Sequence, residues 1–171
     1  MLNSKEEYIA EAKRITKEEF LQLHNHPFLV QYATDSSNSA ESKKLIFSTI
    51  TVTRLEDIMK LQDNKREIKN IFPVLKSSRN PFASKITIGR TSTQDIVIED
   101  TGISKFHAYF EIKEGQYSIC DRGSTNGSSL NWTAMEASVP ILIRDRDTIA
   151  FAGISFNYYT ARTAYEIFKE S

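Results

Sequence analysis

A single cysteine in 171 residues leaves no partner for an internal disulfide and excludes any multi-cysteine metal site. Cys120 falls in a strand-like pattern, where a small buried thiol is its expected role. An excess of charge of one sign is also missing. The 22 basic residues stand against 22 acidic ones, and the balance holds on both sides of Pro73. No global field therefore favours nucleic acid or an anionic membrane, and only a local basic pocket stays open. Long apolar runs are absent, so no segment approaches the length of a membrane span. The amino terminus, "MLNSKEEYIAEAKR", is charged from its fifth residue and lacks the apolar core of a signal peptide. A cytoplasmic location is expected. What is present, 40% apolar and 26% charged residues, is enough to build a core and keep it soluble.

The pattern changes near Pro73. From there, short runs alternate between apolar and polar side chains: "KITIG", "DIVIE", "HAYFEIK", "QYSIC", "TIAFA" and "ISFNYY". Period-two runs separated by polar turns predict an antiparallel all-β sandwich over residues 73–160. Lys113-Glu114-Gly115-Gln116 is expected to close a hairpin between two of the strands. In "TARTAYEIFKES" the alternation gives way to helical spacing of Ala164, Ile167 and Phe168 behind Thr160 or Thr163 as a cap. This predicts a short C-terminal helix over 161–171, packed across the sandwich or closing its edge.

Residues 1–72 read as a mostly helical extension of unknown function. Tyr8, Ile9, Ala12, Ile15, Phe20 and Leu23 lie near helical spacing, with Ser4 as a cap. Thr16-Lys17-Glu18-Glu19 has the form of a reciprocal cap opening a second helix. "TDSSNSAESKK" reads as a polar loop, "IFSTITVT" as a strand, and "RLEDIMKLQ" as a short helix. The apolar content suggests an extension docked on the sandwich.

Chemistry is concentrated in three polar stretches at strand ends. Arg90 follows "ITIG", with Gly89 before it to let the backbone bend close to a ligand. Ser104 and Lys105 stand in "TGISKFH". Thr125 and Asn126 stand in "DRGSTNG", which either reverses the chain or holds an anion with hydroxyls and backbone N–H groups. A guanidinium with several short donors is the set that a phosphate demands. In isolation, Arg90 reads as a surface ion-pair residue, and Ser104 and Thr125 as turn formers.

Taken together, Gly-Arg after a strand, S-x-x-H some fourteen residues on and G-S-x-N-G after a hairpin resemble a forkhead-associated (FHA) domain. The resemblance covers roughly Phe72 to Tyr159, and the wording "KSSRNPFASKITIGR" is similar to bacterial members. It implies a β-sandwich whose loops bind phosphothreonine in a partner protein. Arg90 would pair with the phosphate, Ser104 would donate its hydroxyl, and Thr125 would add a hydroxyl or N–H contact. Asn126 would bond the peptide main chain, and Lys105, where the family usually has Arg or Asn, would add charge. Gly89, His107, Asp121, Gly123 and Gly127 would shape the loops. The chain departs from the family at Trp132, where a glycine turn is common, and "WTAMEA" lengthens a recognition loop. Trp132 either contacts residues flanking the phosphothreonine or caps the core. Arg146 stands where a glycine is usual, and is expected to alter a turn and favour acidic peptides.

Other chemistries fit less well. Ser104, His107 and Asp121 lack the nucleophile elbow and oxyanion loop of a hydrolase. His24 and His26 have no companion ligands for a metal. "DRGSTNG" lacks the Gly-Lys-Ser/Thr ending of a nucleotide loop. No enzyme activity, cofactor or metal is expected. The expected partner is a threonine-phosphorylated protein or peptide, a Ser/Thr kinase or its substrate, in kinase-linked signalling. A constitutive, phosphorylation-independent assembly module in a larger complex, such as a secretion or signalling machine, is the alternative.

Overall fold

A computed structural model describes residues 4–33, 66–82 and 84–171. The expected polar loop, strand and helix between Thr34 and Gln62 lie outside the described residues.

Two capped helices come first. In α1 (Lys5–Arg14) and α2 (Lys17–Leu23), Ser4 and Thr16 each accept a backbone N–H from the glutamate three residues on. Glu7 and Glu19 return the bond to the cap backbone, so both reciprocal caps form. The strands are β1 (Phe28–Tyr32), β2 (Ile68–Pro73), β3 (Lys85–Gly89), β4 (Ile96–Val97), β5 (Ala108–Lys113) and β6 (Gln116–Asp121). They continue with β7 (Ser128–Leu130), β8 (Thr133–Ala134), β9 (Ile141–Leu142), β10 (Thr148–Phe151) and β11 (Ile154–Tyr159). A last helix, α3 (Ala161–Glu170), ends the chain.

The strands form two sheets, ordered β2-β1-β11-β10-β7-β8 and β4-β3-β5-β6-β9. Pairing is antiparallel except between β3 and β4, which run parallel with Ile88 opposite Ile96. This exception to the antiparallel expectation arises because the chain swings out through Arg90 and returns to lie alongside β3. Inward-facing Ile86, Ile88, Phe110, Ile119, Ile149, Phe151 and Phe156 fill the space between the sheets. Glu114 and Gly115 take φ of 53° and 76°, the left-handed pair that a two-residue hairpin between Lys113 and Gln116 requires.

A second core lies on the other face of the six-stranded sheet. Tyr8, Phe20, Phe28, Val30, Tyr159, Tyr165 and Phe168 pack there beneath α1, α2 and α3. The C-terminal helix thus lies across the sandwich. Thr160 occupies its N-cap position but makes no side-chain cap. Asp145 does that work, accepting the Thr160 N–H and the Thr163 hydroxyl at 2.7 Å each. The change of character near Pro73 coincides with the end of β2. Upstream of it, β1 is a sheet member, hydrogen-bonded between β2 and β11.

The two histidines of "HNH" belong to the second core. His24 Nε2 lies 2.5 Å from Glu11, and His26 Nδ1 lies 3.0 Å from the Pro27 carbonyl. Burial lowers the pKa of His26 despite that carbonyl.

Candidate functional site

Three loops meet at one end of the sandwich: β3–β4 with Arg90, β4–β5 with Ser104, and β6–β7 with Thr125. Gly89 makes the first meeting possible. A Cβ there would lie 2.8 Å from the Lys105 carbonyl carbon and 3.0 Å from the Ser104 oxygen, far inside contact distance. The bare glycine lets the Arg90 N–H donate to the Ser104 carbonyl at 3.1 Å. Beside this bond, the Thr91 hydroxyl donates to the Lys105 carbonyl, also at 3.1 Å. Gln94 Nε2 donates to the hydroxyls of Thr91 and Thr93 at 3.3 and 3.2 Å, which gives the loop an internal frame.

Ser104 also joins the second loop to the third. Its hydroxyl accepts the Thr125 N–H at 3.1 Å and lies 3.4 Å from Thr125 Oγ1. Asn126 Nδ2 donates to the Gly102 carbonyl at 2.9 Å. Arg90, Lys105, Thr125 and Asn126 are exposed and Ser104 is half-buried. Neither Arg90 nor Lys105 forms an ion pair among the described residues. The backbone at Arg90 and Lys105 thus adjoins the Ser104 and Thr125 hydroxyls and the Thr125 N–H, and those hydroxyls have each other and that N–H as their hydrogen-bond partners.

The buried support follows from His107 and Asp121. Fully buried His107 accepts the Ser104 N–H on Nδ1 at 3.1 Å and donates from Nε2 to the Gly127 carbonyl at 3.2 Å. Those bonds define the neutral Nε2–H tautomer. Burial lowers its pKa, against the pull of the Gly127 carbonyl and Asp121. Both ring nitrogens are thus committed to backbone, and neither is left to take a proton from the Ser104 hydroxyl, which removes the geometric basis for a hydrolase dyad. Asp121 accepts the N–H groups of Gly123 and Ser124 at 2.7 and 2.8 Å, the Ser124 hydroxyl at 2.7 Å, and the Ser128 hydroxyl. Burial alone would raise its carboxyl pKa, but these donors outweigh it and the net shift is downward. Gly123 and Gly127, with φ of 78° and 73°, make the bends that carry Thr125 over Ser104.

The FHA domain family model matches residues 86–152. The chain belongs to the FHA-domain family. It is similar to the oxoglutarate dehydrogenase inhibitor of Corynebacterium glutamicum, 40% identical over 53 residues, or 31% of this chain and 37% of that protein. The match thus spans little more than a third of that curated relative. Among solved structures it resembles the FHA domain of an Arabidopsis thaliana protein, with 33% identity and a TM-score of 0.43 over 45% of this chain and 67% of that one. Full-length yeast Pml1p has the same fold, with 12% identity and a TM-score of 0.50, covering 86% of this chain and 94% of that one.

Within this FHA domain the expected residues divide by position. Arg90, Ser104, Lys105, Thr125 and Asn126 come together at the loop end, with Gly89, His107, Asp121, Gly123 and Gly127 as their frame. Trp132 does not join that cluster. It lies at the β7–β8 turn, 79% exposed, on the wall of an adjoining cleft. It caps no core, and the β7–β8 connection is a two-residue hairpin. Arg146 begins the approach to β10, while the far end of β10 faces the binding loops through Ala152, whose N–H donates to Gly127. Arg146 keeps a positive φ of 72°, so the turn survives the loss of glycine, and its position at the opposite end removes it from the loop cluster. Thr91 and Gln94 were not expected from sequence. A hydroxyl directly after the arginine was their one available signal.

Proposed function

We propose that this FHA domain is a phosphothreonine-dependent protein-interaction module, with Arg90, Ser104, Thr125 and Asn126 as its contacts. The observation that carries the reading is the Ser104–Thr125 pair on loops that also carry Arg90 and Lys105, two exposed residues without an ion pair among the described residues. A phosphate oxygen entering there would take the Thr125 N–H now held by the Ser104 hydroxyl, and both hydroxyls would turn to donate to it. Arg90 would supply the fork-shaped countercharge, and Lys105 a point charge on the neighbouring loop. Asn126 holds the Gly102 carbonyl with its Nδ2, leaving its amide oxygen for a peptide N–H.

The FHA family is a family of binding modules. Accordingly, a kinase acting on a partner creates the ligand, and this chain reads it. Each charge-assisted bond contributes roughly 1.5–3 kcal/mol. Arg90→Ala should therefore cost about 2–5 kcal/mol of binding, a loss of tens- to thousands-fold. Calorimetry against a phosphothreonine peptide library and its unphosphorylated counterpart tests the proposal. Equal binding of both forms would overturn it in favour of constitutive assembly.

A further inference from the structure

The largest exposed aromatic side chain of the domain stands where local geometry disfavours it. Asn131 and Trp132 are the two central residues of the β7–β8 hairpin, between Leu130 and Thr133. Their φ values are 48° and 66°, the doubly left-handed backbone for which Asn-Gly is the preferred pair. Asn131 suits its place. Trp132 occupies the position of glycine, and a bulky residue at positive φ is strained. The turn cannot easily relax, because Asn131 Nδ2 donates to Asp147 at 2.8 Å and its Oδ1 accepts the Thr148 N–H at 2.9 Å. A strained backbone therefore holds an indole in water, 79% exposed.

That indole stands at the Asp147 end of the sandwich, away from the loop cluster, and borders a cleft of about 930 Å³ that runs on to Asp100, Gly153 and Ile154. The cleft adjoins the loop cluster through direct contacts. Gly102 lies between Asp100, whose carboxylate accepts its N–H at 2.7 Å, and Asn126, which binds its carbonyl at 2.9 Å. Ala152, next to Gly153, donates its N–H to the Gly127 carbonyl at 3.0 Å. A peptide held at Ser104 and Asn126 thus has a continuous path past Gly102 into the cleft. The remaining walls carry both signs of charge, Lys69 and Glu99 among them, which suits an uncharged polar strand better than a run of one charge.

We propose that Trp132 anchors the partner chain flanking the phosphothreonine, by stacking against one aromatic or aliphatic side chain of a polar segment lying in this cleft. The proposal rests on the phosphothreonine reading and adds a second contact region to it. Tryptophan is among the residues most enriched at binding hot spots, and here an exposed one stands on a fixed turn beside a cleft, its strain tolerated because the indole acts on a partner and not on the core.

The test uses the full chain and two probes: long peptides from a random library centred on phosphothreonine, and a minimal phosphothreonine peptide. Trp132 is the single tryptophan, so its fluorescence reports directly on the site. The long peptides selected by the wild type should shift that emission to the blue, while the minimal peptide leaves it unchanged. Trp132→Gly restores the preferred turn, so its Tm should rise or hold. It should bind the selected long peptides roughly tenfold or more weakly, yet bind the minimal peptide within about twofold of the wild type. Unmoved fluorescence with unchanged affinity would overturn the proposal, as would a fall in Tm with unchanged affinity. Failure of the wild type to bind phosphothreonine at either length would instead overturn the parent reading.

Discussion

Gly89→Ala isolates the contact on which the loop end depends. Gly89 does not have positive φ, so alanine's backbone is allowed and the perturbation is purely steric. The new methyl would meet the Lys105 and Ser104 carbonyl groups at 3.0 Å or less. These are backbone atoms that cannot rotate away, so the β3–β4 and β4–β5 loops must separate by roughly 1 Å to restore ordinary contact. Two hydrogen bonds cross that seam, Arg90 N–H to Ser104 and the Thr91 hydroxyl to Lys105, both at 3.1 Å. Losing them costs about 0.5–1.5 kcal/mol each, and overpacking adds about 1–3 kcal/mol. The sum, about 2–6 kcal/mol, corresponds to a fall in Tm of about 4–24 °C for a chain of this size. Affinity for a phosphothreonine peptide should drop at least tenfold at a temperature where the variant is still folded, because Arg90 is displaced from Ser104. Gly102→Ala is the control. Its Cβ would meet the Asp100 carboxylate at 3.2 Å and Ala152 at 3.4 Å, a side chain that can yield and an ordinary contact. Thermal denaturation of both variants, with calorimetry on Gly89→Ala, decides the matter. A Gly89→Ala protein with native Tm and native affinity would refute the argument.

Asp121→Asn should lower stability by about 1–3 kcal/mol, because donors now satisfied by the carboxylate lose an acceptor. The folded pKa of Asp121 is depressed, so its contribution is full above the ordinary carboxylate pKa of about 4 and is lost as pH falls through the folded value. The stability gap between wild type and Asp121→Asn, followed by urea denaturation, should therefore close in acid. A gap that is constant with pH would contradict this. We further propose that β1 and the helices fold with the sandwich as one unit, because β1 lies between β2 and β11 and covers one side of β11. A chain starting at Asn70 should then lose cooperative thermal unfolding and bind apolar dye. A sharp transition at the native Tm would show the sandwich to be independent.

Much of the sandwich is legible because apolar and polar side chains alternate along its strands. Lys85–Gly89, Ala108–Lys113 and Ile154–Tyr159 show on that basis, Ser4 and the helical spacing announce α1, and the Thr16–Glu19 reciprocal cap announces α2; the Ser4–Glu7 reciprocity is visible only in the structure. β1 was not legible, for a physical reason. Phe28, Leu29 and Val30 are all fully buried because their sheet has a core on each face, so "FLV" shows no alternation. β8 and β9, each two residues long, carry too little pattern to register, whereas β4 shows because "DIVIE" extends the alternation beyond its two paired residues. At the site, Arg90, Ser104 and Thr125 were visible as an ordered motif whose members the fold brings together. The Thr91 bond was not, because its acceptor is the backbone carbonyl of Lys105, and any residue has one. The departure at Trp132 was visible as a missing glycine. Its meaning required the φ angle and the cleft beside it.

The most direct test of phosphothreonine recognition is amide chemical-shift mapping on the full chain, titrated with matched phosphorylated and unphosphorylated peptides. The account predicts saturable shifts centred on Arg90, Ser104, Thr125 and Asn126 with the phosphorylated peptide, and none with its counterpart. Shifts centred elsewhere, or the same shifts with both peptides, would contradict it.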